Sequence, residues 1–330
     1  MGGAGTPGSV NTRDSADYSF SAMPAGRGAP SIIDQRVSGN YAVYRSSADT
    51  LSVDTRAGQT RLSSQPVIQA PGLITPINVP EKLYNIGAGL NFTHKIADRR
   101  LWGLRGGVGS ASDVPFNSIH ETTFNLGAQY QMPSRARNSW IFLLNYSNNR
   151  TYLNNIPIPG VEYVLREPFA GFNAVIGFPF IRANYRPDKD WSFTASLSGG
   201  SNASVEAARR LTGPAWLYLH YGRQPQQWLR IGRPTYDSRL VLTDSQVRLG
   251  VRSPLGHGYS LDGSIGRAFQ RSFYESENTN SLRYSVPSDT LPNAWVMSLH
   301  LTKRWGGSGK GATPSGSMEN EVQGAGTGNE

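Results

Sequence analysis

The sequence predicts an all-β chain that folds as a single antiparallel up-and-down transmembrane β-barrel of about 12 strands, within a range of about 10 to 14. Three features lead to this fold class. Segments in which apolar residues alternate with small or polar ones follow one another along the chain. Short and long connections between them alternate, and aromatic residues gather near the short connections. A soluble sandwich need not sort its loops in this way.

The clearest alternation lies in Ala294–Trp305, which reads AWVMSLHLTKRW. One face holds Trp295, Met297, Leu299 and Leu301, while the other is small or polar, so a long two-faced strand is predicted. The 37 Gly, 12 Phe, 7 Trp and 15 Tyr also favour strands over helices. The same alternation recurs in Tyr84–His94, Leu101–Gly109, Glu121–Gln131, Trp191–Gly199 and Tyr259–Gln270.

The predicted connections alternate in length from Tyr84 onward. The short ones are Lys95–Arg100, Met132–Asn138, Pro187–Asp190, Thr212–Pro214 and Ser253–Gly258. The long ones are Ser110–His120, Ser147–Gly171, Arg223–Asp237 and Arg271–Asn293. Only the short link Gly200–Asn202 breaks the series. Tight turns at one end and long loops at the other are typical of transmembrane barrels.

Aromatic residues near the short turns predict a girdle at a membrane interface. The candidates are Trp102, Tyr130, Trp140, Tyr185, Trp191, Trp216, Tyr259 and Trp305. Four others, Tyr84, Tyr146, Phe269 and Trp295, are expected towards the opposite rim.

Counting gives eleven strands from Tyr84 to Trp305, with Phe172–Tyr185 taken as one strand that is bulged near Pro179. An even, closed barrel needs one more strand, for which Val37–Arg45 and Gln59–Ala70 compete. The predicted organisation is a flexible N-terminal tail over 1–35, the barrel over 36–305 and a flexible C-terminal tail over 306–330.

Composition excludes several other classes. The absence of cysteine rules out disulfides and thiolate metal sites, and no apolar run approaches the length of about 18 residues that a spanning helix needs. The net charge of +9 is scattered singly, so no nucleic-acid partner is predicted. No signal peptide opens the chain, and for an exported barrel we expect that it has been removed.

The chain resembles Gram-negative outer-membrane β-barrels, in particular porin-like barrels of unassigned function, over roughly residues 36–305. The resemblance rests on the terminal strand LHLTKRW, on glycine-rich alternating strands, and on IRANYRPDKDWSF and GSIGRAFQRSFYE. It implies residence in the bacterial outer membrane, contact with its lipid, and recognition of the last strand by the barrel assembly machinery. The matching signal residues are Leu299, Leu301 and Trp305, although 25 residues follow Trp305.

If the aromatic face meets lipid, charged residues of the other phase point into the lumen, because a charge on the lipid face costs about 2–4 kcal/mol near the midplane. The predicted lumen-lining residues are Arg105, Arg248, Arg252, Asp262 and His300, with Glu206 and Arg210 as further candidates. They either fill a narrow barrel with ion pairs or line a pore with a slight anion preference.

The sequence offers no catalytic, cofactor or metal site. His120 beside Glu121 is the one histidine expected at the outer mouth, and no nucleophile elbow, paired-carboxylate motif or His-x-His accompanies it. Three hypotheses remain: a porin-like channel for passive passage of small solutes, a closed structural or surface-interaction barrel using loops Ser147–Gly171 and Arg271–Asn293, and a soluble β-sandwich adhesin.

Overall fold

A computed structural model describes residues 14–26, 30–68, 77–96, 99–135, 137–150, 153–166, 168–198, 202–276 and 289–305. Sixteen antiparallel strands form one ring, which closes where the first strand pairs with the last, Asp14 opposite Trp305. In chain order the strands are β1 (Asp14–Met23), β2 (Ile32–Arg45), β3 (Asp49–Leu62), β4 (Val67–Ile68), β5 (Ile77–Asn78), β6 (Lys82–Lys95), β7 (Leu101–Ser112), β8 (Thr123–Pro133), β9 (Ser139–Ser147), β10 (Ile158–Arg166), β11 (Phe172–Phe178), β12 (Phe180–Tyr185), β13 (Trp191–Ser198), β14 (Asn202–Arg210), β15 (Trp216–Arg223), β16 (Gln226–Trp228), β17 (Arg239–Gly256), β18 (Tyr259–Ser276), β19 (Asp289–Leu291) and β20 (Ala294–Trp305). The four short strands β4, β5, β16 and β19 lie outside the ring.

The prediction of an all-β antiparallel barrel is confirmed, but the count of about twelve strands is wrong. Four strands were missed. Val37–Arg45 lies within β2, whereas Gln59–Ala70 was placed too late and shares only residues 59–62 with β3; β1 precedes both strands. The predicted long loop Ser147–Gly171 contains β10, whose alternation is hidden by Pro159 and Glu162. The predicted bulged strand Phe172–Tyr185 is a hairpin, with a cis Phe178–Pro179 bond at its tip.

The predicted domain boundary at residue 36 also needs correction. Within the expected N-terminal tail, β1 pairs with β2 and β20, and β2 begins at Ile32. The small residues Ser15, Ser19 and Ser21 of β1 made this stretch look like a tail, although Tyr18 and Phe20 alternate with them. Residues 1–13 and the predicted C-terminal tail 306–330 lie outside the described residues.

Connections at the two ends of the ring differ in length. At the turn end, where Asp14 and Trp305 lie, the connections are short, for example 46–48, 96–100 and 257–258. The opposite loop end carries the long connections 63–81, 113–122, 148–157, 224–238 and 277–293. The connections there between β11 and β12 and between β13 and β14 are short, namely Pro179 and 199–201. The predicted segregation of loops is therefore correct apart from this one side.

The two faces of the ring differ in chemistry, as the alternation predicts. Large apolar side chains project outward from nearly every strand, with Leu126 on β8 at 57 % and Trp295 on β20 at 56 % exposure. Charged and amide side chains occupy the inward phase. No helix among the described residues is long and apolar enough to cross a membrane. Because the sheet closes into a ring, the two-sheet sandwich hypothesis is wrong.

Candidate functional site

All five predicted lumen-lining residues occupy the inward phase of the ring. The register places Arg252 opposite Asp262 and Asp262 opposite His300 across β17, β18 and β20, while Arg248 lies two inward positions from Arg252 on β17. Arg105 occupies the same phase on β7, which is on the far side of the ring. The structure thus brings four of these residues together on one wall.

The group around Arg252 is a compact buried charge network. Its guanidinium donates hydrogen bonds to both oxygens of Glu206, at 3.3 Å each, and through Nε to Asp262 at 2.9 Å. Tyr218 donates a 2.5 Å hydrogen bond to Asp262, and the guanidinium carbon of Arg252 lies 4.8 Å from the centre of its ring. One arginine therefore bridges two carboxylates and ties β14, β17 and β18 together.

The wall from β2 to β9 carries smaller polar contacts. Arg36 chelates Asp34, with Nε at 2.8 Å and Nη2 at 2.5 Å from the two carboxylate oxygens. Arg105 donates a 2.6 Å hydrogen bond to Oδ1 of Asn145. Arg56 likewise donates a hydrogen bond to Oδ1 of Asn85 and interacts with the charge of Asp54. This wall therefore combines ion pairs with hydrogen bonds from arginine to amides.

Glycines beneath the long inward side chains set how far those side chains reach. A Cβ added to Gly127 would lie 2.5 Å from Nε of Arg105, and one added to Gly87 would lie 2.9 Å from Cζ of Arg56. A Cβ on Gly250 would collide with the ring of Tyr218. Arginine and tyrosine therefore lie flat against the wall in spaces that only glycine leaves open, instead of projecting to the barrel axis.

The connection between β15 and β17, residues 224–238, crosses the loop end of the barrel; we name it the mouth segment. It leaves the thirteenth strand of the ring, yet Leu229 N bonds Ala111 O at 2.7 Å on β7, the fifth strand. Strands eight places apart among sixteen face each other across the barrel. Gln227 also donates to Asn149 O at 3.0 Å, beyond β9.

Arg233 holds the middle of the mouth segment to the opposite loop 113–122. Its Nη1 lies 2.7 Å from Glu121 and its Nη2 donates a 2.9 Å hydrogen bond to the carbonyl of His120. Burial raises the pKa of Glu121, but hydrogen bonds from Ser118 and Arg233, with the charge of Arg233, outweigh burial and hold that pKa below its usual value. Glu121 is therefore ionised at neutral pH and the bond is a charge-assisted one.

An apolar cluster lies inside the barrel beneath this crossing. Consecutive residues Leu240, Val241 and Leu242 of β17 are all buried, so both faces of the strand are covered there. The loop-end part of β17 turns inward past a bulge between Thr243 and Ser245 and pairs with β16. The cluster comprises Met23, Ile32, Leu62, Val79, Leu83, Ala111, Trp228, Leu240, Leu242, Ala268, Phe273, Leu291, Ala294 and Val296.

The predicted girdle residues face outward with one exception. Trp102, Tyr130, Trp140, Tyr185, Trp191, Tyr259 and Trp305 lie on the outer phase near the turn end. Trp216 lies opposite Arg210 and Arg252 in the inward phase, so its placement in the girdle is wrong. The candidate assembly residues Leu299, Leu301 and Trp305 share the outer face of β20, and their recognition stays a prediction.

His120, the histidine expected at the outer mouth, contacts the mouth segment. His120 stacks on Tyr236 of the mouth segment, with ring centres 3.8 Å apart. No group of three or more potential ligands for a metal ion occurs in the part of the chain that the structure describes.

The sequence did not predict the mouth segment. It also did not predict the glycines that lie beneath Arg105, Arg56 and Tyr218, which we call the glycine seats. The signal for the seats was present, because inward Gly127, Gly250 and Gly87 alternate with apolar residues in the predicted strands. A sequence does not reveal which glycine lies beside which arginine until the register between strands is known. The mouth segment has no periodicity, and its contacts with the opposite loops join residues 78 to 118 positions apart.

An apolar belt around a polar interior, on a closed antiparallel ring, places this barrel in a bilayer with its backbone fully paired. The protein is a closed antiparallel β-barrel with the porin-like architecture of bacterial outer-membrane barrels. Its first and last strands meet at the turn end, which corresponds to the periplasmic side in such barrels.

No family model and no curated protein matches the sequence. Similar solved structures include CdiB from Acinetobacter baumannii (13 % identity, TM-score 0.38), with 90 % of this chain and 60 % of that chain covered. They also include an outer membrane channel from Pseudomonas putida F1 (8 %, TM-score 0.32, 89 % and 94 % covered) and a mutant of the Rh. blastica porin (10 %, TM-score 0.33, 89 % and 99 % covered). The chain thus spans about three fifths of CdiB, and these likenesses do not bear on solute or partner.

Proposed function

We propose that this protein is a porin-like channel for the passive passage of small solutes across the outer membrane. The observation that carries the proposal is the seating of inward side chains against the wall, as with Arg105 over Gly127. Sixteen strands enclose enough room for an aqueous channel, whereas about eight are filled by their own side chains. Side chains that lie flat against the wall take up less of that room than side chains that project to the barrel axis.

The channel favours anions slightly. Among the charged residues assigned above to the inward phase, the arginines Arg105, Arg210, Arg248 and Arg252 outnumber the carboxylates Glu206 and Asp262. Positive side chains that line a pore attract anions and repel cations. The preference is modest because acidic residues share the same wall.

Swelling of proteoliposomes in solutions of neutral sugars of graded size tests passage directly. We expect swelling that slows as the sugar becomes larger, and no swelling beyond that of protein-free vesicles would contradict the proposal. In a KCl gradient, the double variant Arg105→Glu with Arg248→Glu should move the reversal potential towards cation selectivity. The matched control is Arg135→Glu, at an exposed turn-end position.

A closed surface-interaction barrel is the second candidate, and the mouth segment is what favours it. Residues 224–238 and the apolar cluster beneath them cover part of the loop end. A barrel that swells no vesicles, even when the mouth segment is released, would support this function instead. The loop Ser147–Gly171 would serve it only through residues 148–157, because β10 follows.

A further inference from the structure

One side of the barrel wall is too low to cross the apolar layer. On β20, Trp295 to Trp305 covers ten residue steps, or about 25 Å along the barrel axis for strands tilted by about 40°. On β11, the six steps from Phe172 to Phe178 rise only about 15 Å. The apolar band of such barrels is about 25 Å tall. The hairpin of β11 and β12 therefore ends within the lipid layer.

The tip of this hairpin has the composition of a lipid contact. Gly177, Phe178, Pro179 and Phe180 carry no polar side chain, and Phe178 is 57 % exposed on the outer face. A tip in water would normally be built from polar turn residues. Lipid at this point reaches the edge of the lumen.

Just inside this low wall lies Glu162 of β10, which is fully buried. Within the part of the chain that the structure describes, neither of its carboxylate oxygens has a hydrogen-bond partner. Its side chain lies over Gly177, where a Cβ would approach its Cγ to 2.9 Å. A buried carboxylate without hydrogen-bond donors is strongly unfavourable. The charge of Arg182 on β12 acts on this carboxylate, but no N–H or O–H group among the described residues donates to it.

A third acceptor without a partner lies in the same inward row. Gln131 of β8 is opposite Ile141 of β9, which is opposite Glu162. Gln131 donates through Nε2 to Ser139, while its Oε1 has no partner among the described residues. Two strand spacings separate the Cα atoms of Gln131 and Glu162 by roughly 10 Å, and Ile141 lies between them in the same inward row.

The surroundings of these acceptors are apolar. Ile141, Leu143, Val164 and Val175 form a buried cluster in the inward phase of β9, β10 and β11, and Phe180 packs against it. This patch is separate from the apolar cluster beneath the mouth segment. The patch meets the hairpin tip, so an apolar path connects the lipid to Glu162.

We propose that Glu162 and Gln131 form a binding site for the head of an amphipathic primary amine, whose apolar body lies along this patch towards the β11–β12 hairpin. A primary ammonium group has three N–H donors and one positive charge. Those match the three acceptor oxygens and the single negative charge. Because apolar side chains seal Glu162, the ligand enters when the hairpin moves. The site does not require the channel to conduct.

The shift in the unfolding temperature of the detergent-solubilised barrel tests the site, because a ligand that binds only the folded state raises it. Octylammonium, octyltrimethylammonium and octanoate are compared at one concentration below micelle formation. We expect octylammonium to raise the midpoint by a few degrees and the other two to leave it unchanged. The trimethyl compound keeps the charge and lacks N–H donors.

Glu162→Gln should abolish the shift and raise the midpoint of the free barrel, since it removes a buried charge. Glu81→Gln, at an exposed loop position, is the matched control and should behave as the wild type. Val175→Phe, which fills the apolar patch and keeps Glu162, should also reduce the shift and serves if the first variant fails to fold. An equal shift with octanoate, a shift retained in Glu162→Gln, or no shift in the wild type would each overturn the proposal.

Discussion

Arg233 on the mouth segment bonds Glu121 on the opposite loop at 2.7 Å, and this pair joins two sides of the barrel that the ring itself keeps apart. Both side chains are almost fully buried, at 4 % and 7 % exposure. Breaking the bond leaves the other charge without its main partner, which is strongly unfavourable in a buried place. The pair therefore helps to hold the mouth segment across the opening, together with the hydrogen bonds from Leu229 to Ala111 and from Gln227 to Asn149.

Replacement of Arg233 should release the mouth segment. Arg233→Ala removes the bonds to Glu121 and to the carbonyl of His120, and we expect a larger mean conductance with more frequent transitions between levels in planar bilayers. Arg135→Ala, at an exposed turn-end position, controls for the loss of a positive charge. Unchanged conductance in Arg233→Ala would show that the mouth segment does not limit passage.

Acidification should produce the same release without a mutation. The pKa of Glu121 lies below its usual value in the folded barrel, so its bond with Arg233 contributes stability that is fully present above the ordinary glutamate pKa. That contribution is lost as the pH falls through the lowered pKa. We expect conductance to rise only below the ordinary glutamate pKa, and Glu121→Gln to show the open behaviour already at neutral pH. Opening on raising the pH would contradict the assignment.

The glycine seats should control the width of the channel. Gly250→Ala puts a methyl group where the ring of Tyr218 lies, and the ring must swing towards the lumen. We expect a fractional decrease in conductance and slower passage of larger sugars. Gly106→Ala is the matched control, because a Cβ there meets only Leu126 at 3.5 Å on the outer face. Equal effects of Gly250→Ala and Gly106→Ala would show that the glycine beneath Tyr218 does not set the width of the channel.

Removing Arg252 alone should lower the free energy of unfolding strongly, whereas replacing all three charged residues of the network should lower it much less. Arg252→Met leaves Glu206 and Asp262 without their shared cation, and the expected loss is about 3–5 kcal/mol of unfolding free energy. The triple variant with Glu206→Gln and Asp262→Asn should recover most of that loss. Denaturant titration of the folded barrel in detergent measures both. A triple variant as unstable as Arg252→Met would contradict the role of Arg252 as the cation that Glu206 and Asp262 share.

Trp305 should matter more for assembly than any loop aromatic. It ends β20 opposite Asp14, at the point where the ring closes. We expect Trp305→Glu to lower the yield of heat-modifiable barrel in the outer membrane strongly. Tyr236→Glu, in the exposed mouth segment, should leave the yield unchanged. Normal yield in Trp305→Glu would contradict the prediction that the last strand carries the assembly signal.

The sequence predicts the faces of this barrel better than its size. Trp295–Trp305 and Tyr84–His94 alternate cleanly because lipid and lumen demand opposite chemistry at each successive residue. β10 and the β11–β12 hairpin were not predicted because their inward faces are apolar around Glu162 and Phe180. Both faces of these strands are then apolar, and the sequence shows no alternation. Trp140–Tyr146 reads as apolar on both faces for the same reason.

For the residues of the inner wall, the sequence predicts only which face of the strand they occupy. Arg105, Arg248 and Arg252 could be assigned to the lumen because charge is excluded from lipid, but their partners depend on the register between distant strands. The same limit hid the bond between Arg233 and Glu121, whose positions are 112 residues apart. Nothing local in either loop indicates the other.

The most direct test of the channel is single-molecule conductance of the purified wild-type barrel in planar bilayers at neutral pH. The account predicts discrete, repeatable current steps whose size grows in proportion to KCl concentration, with a reversal potential on the anion side in a salt gradient. Insertion of folded barrel without any such steps, in the wild type and in Arg233→Ala alike, would contradict it.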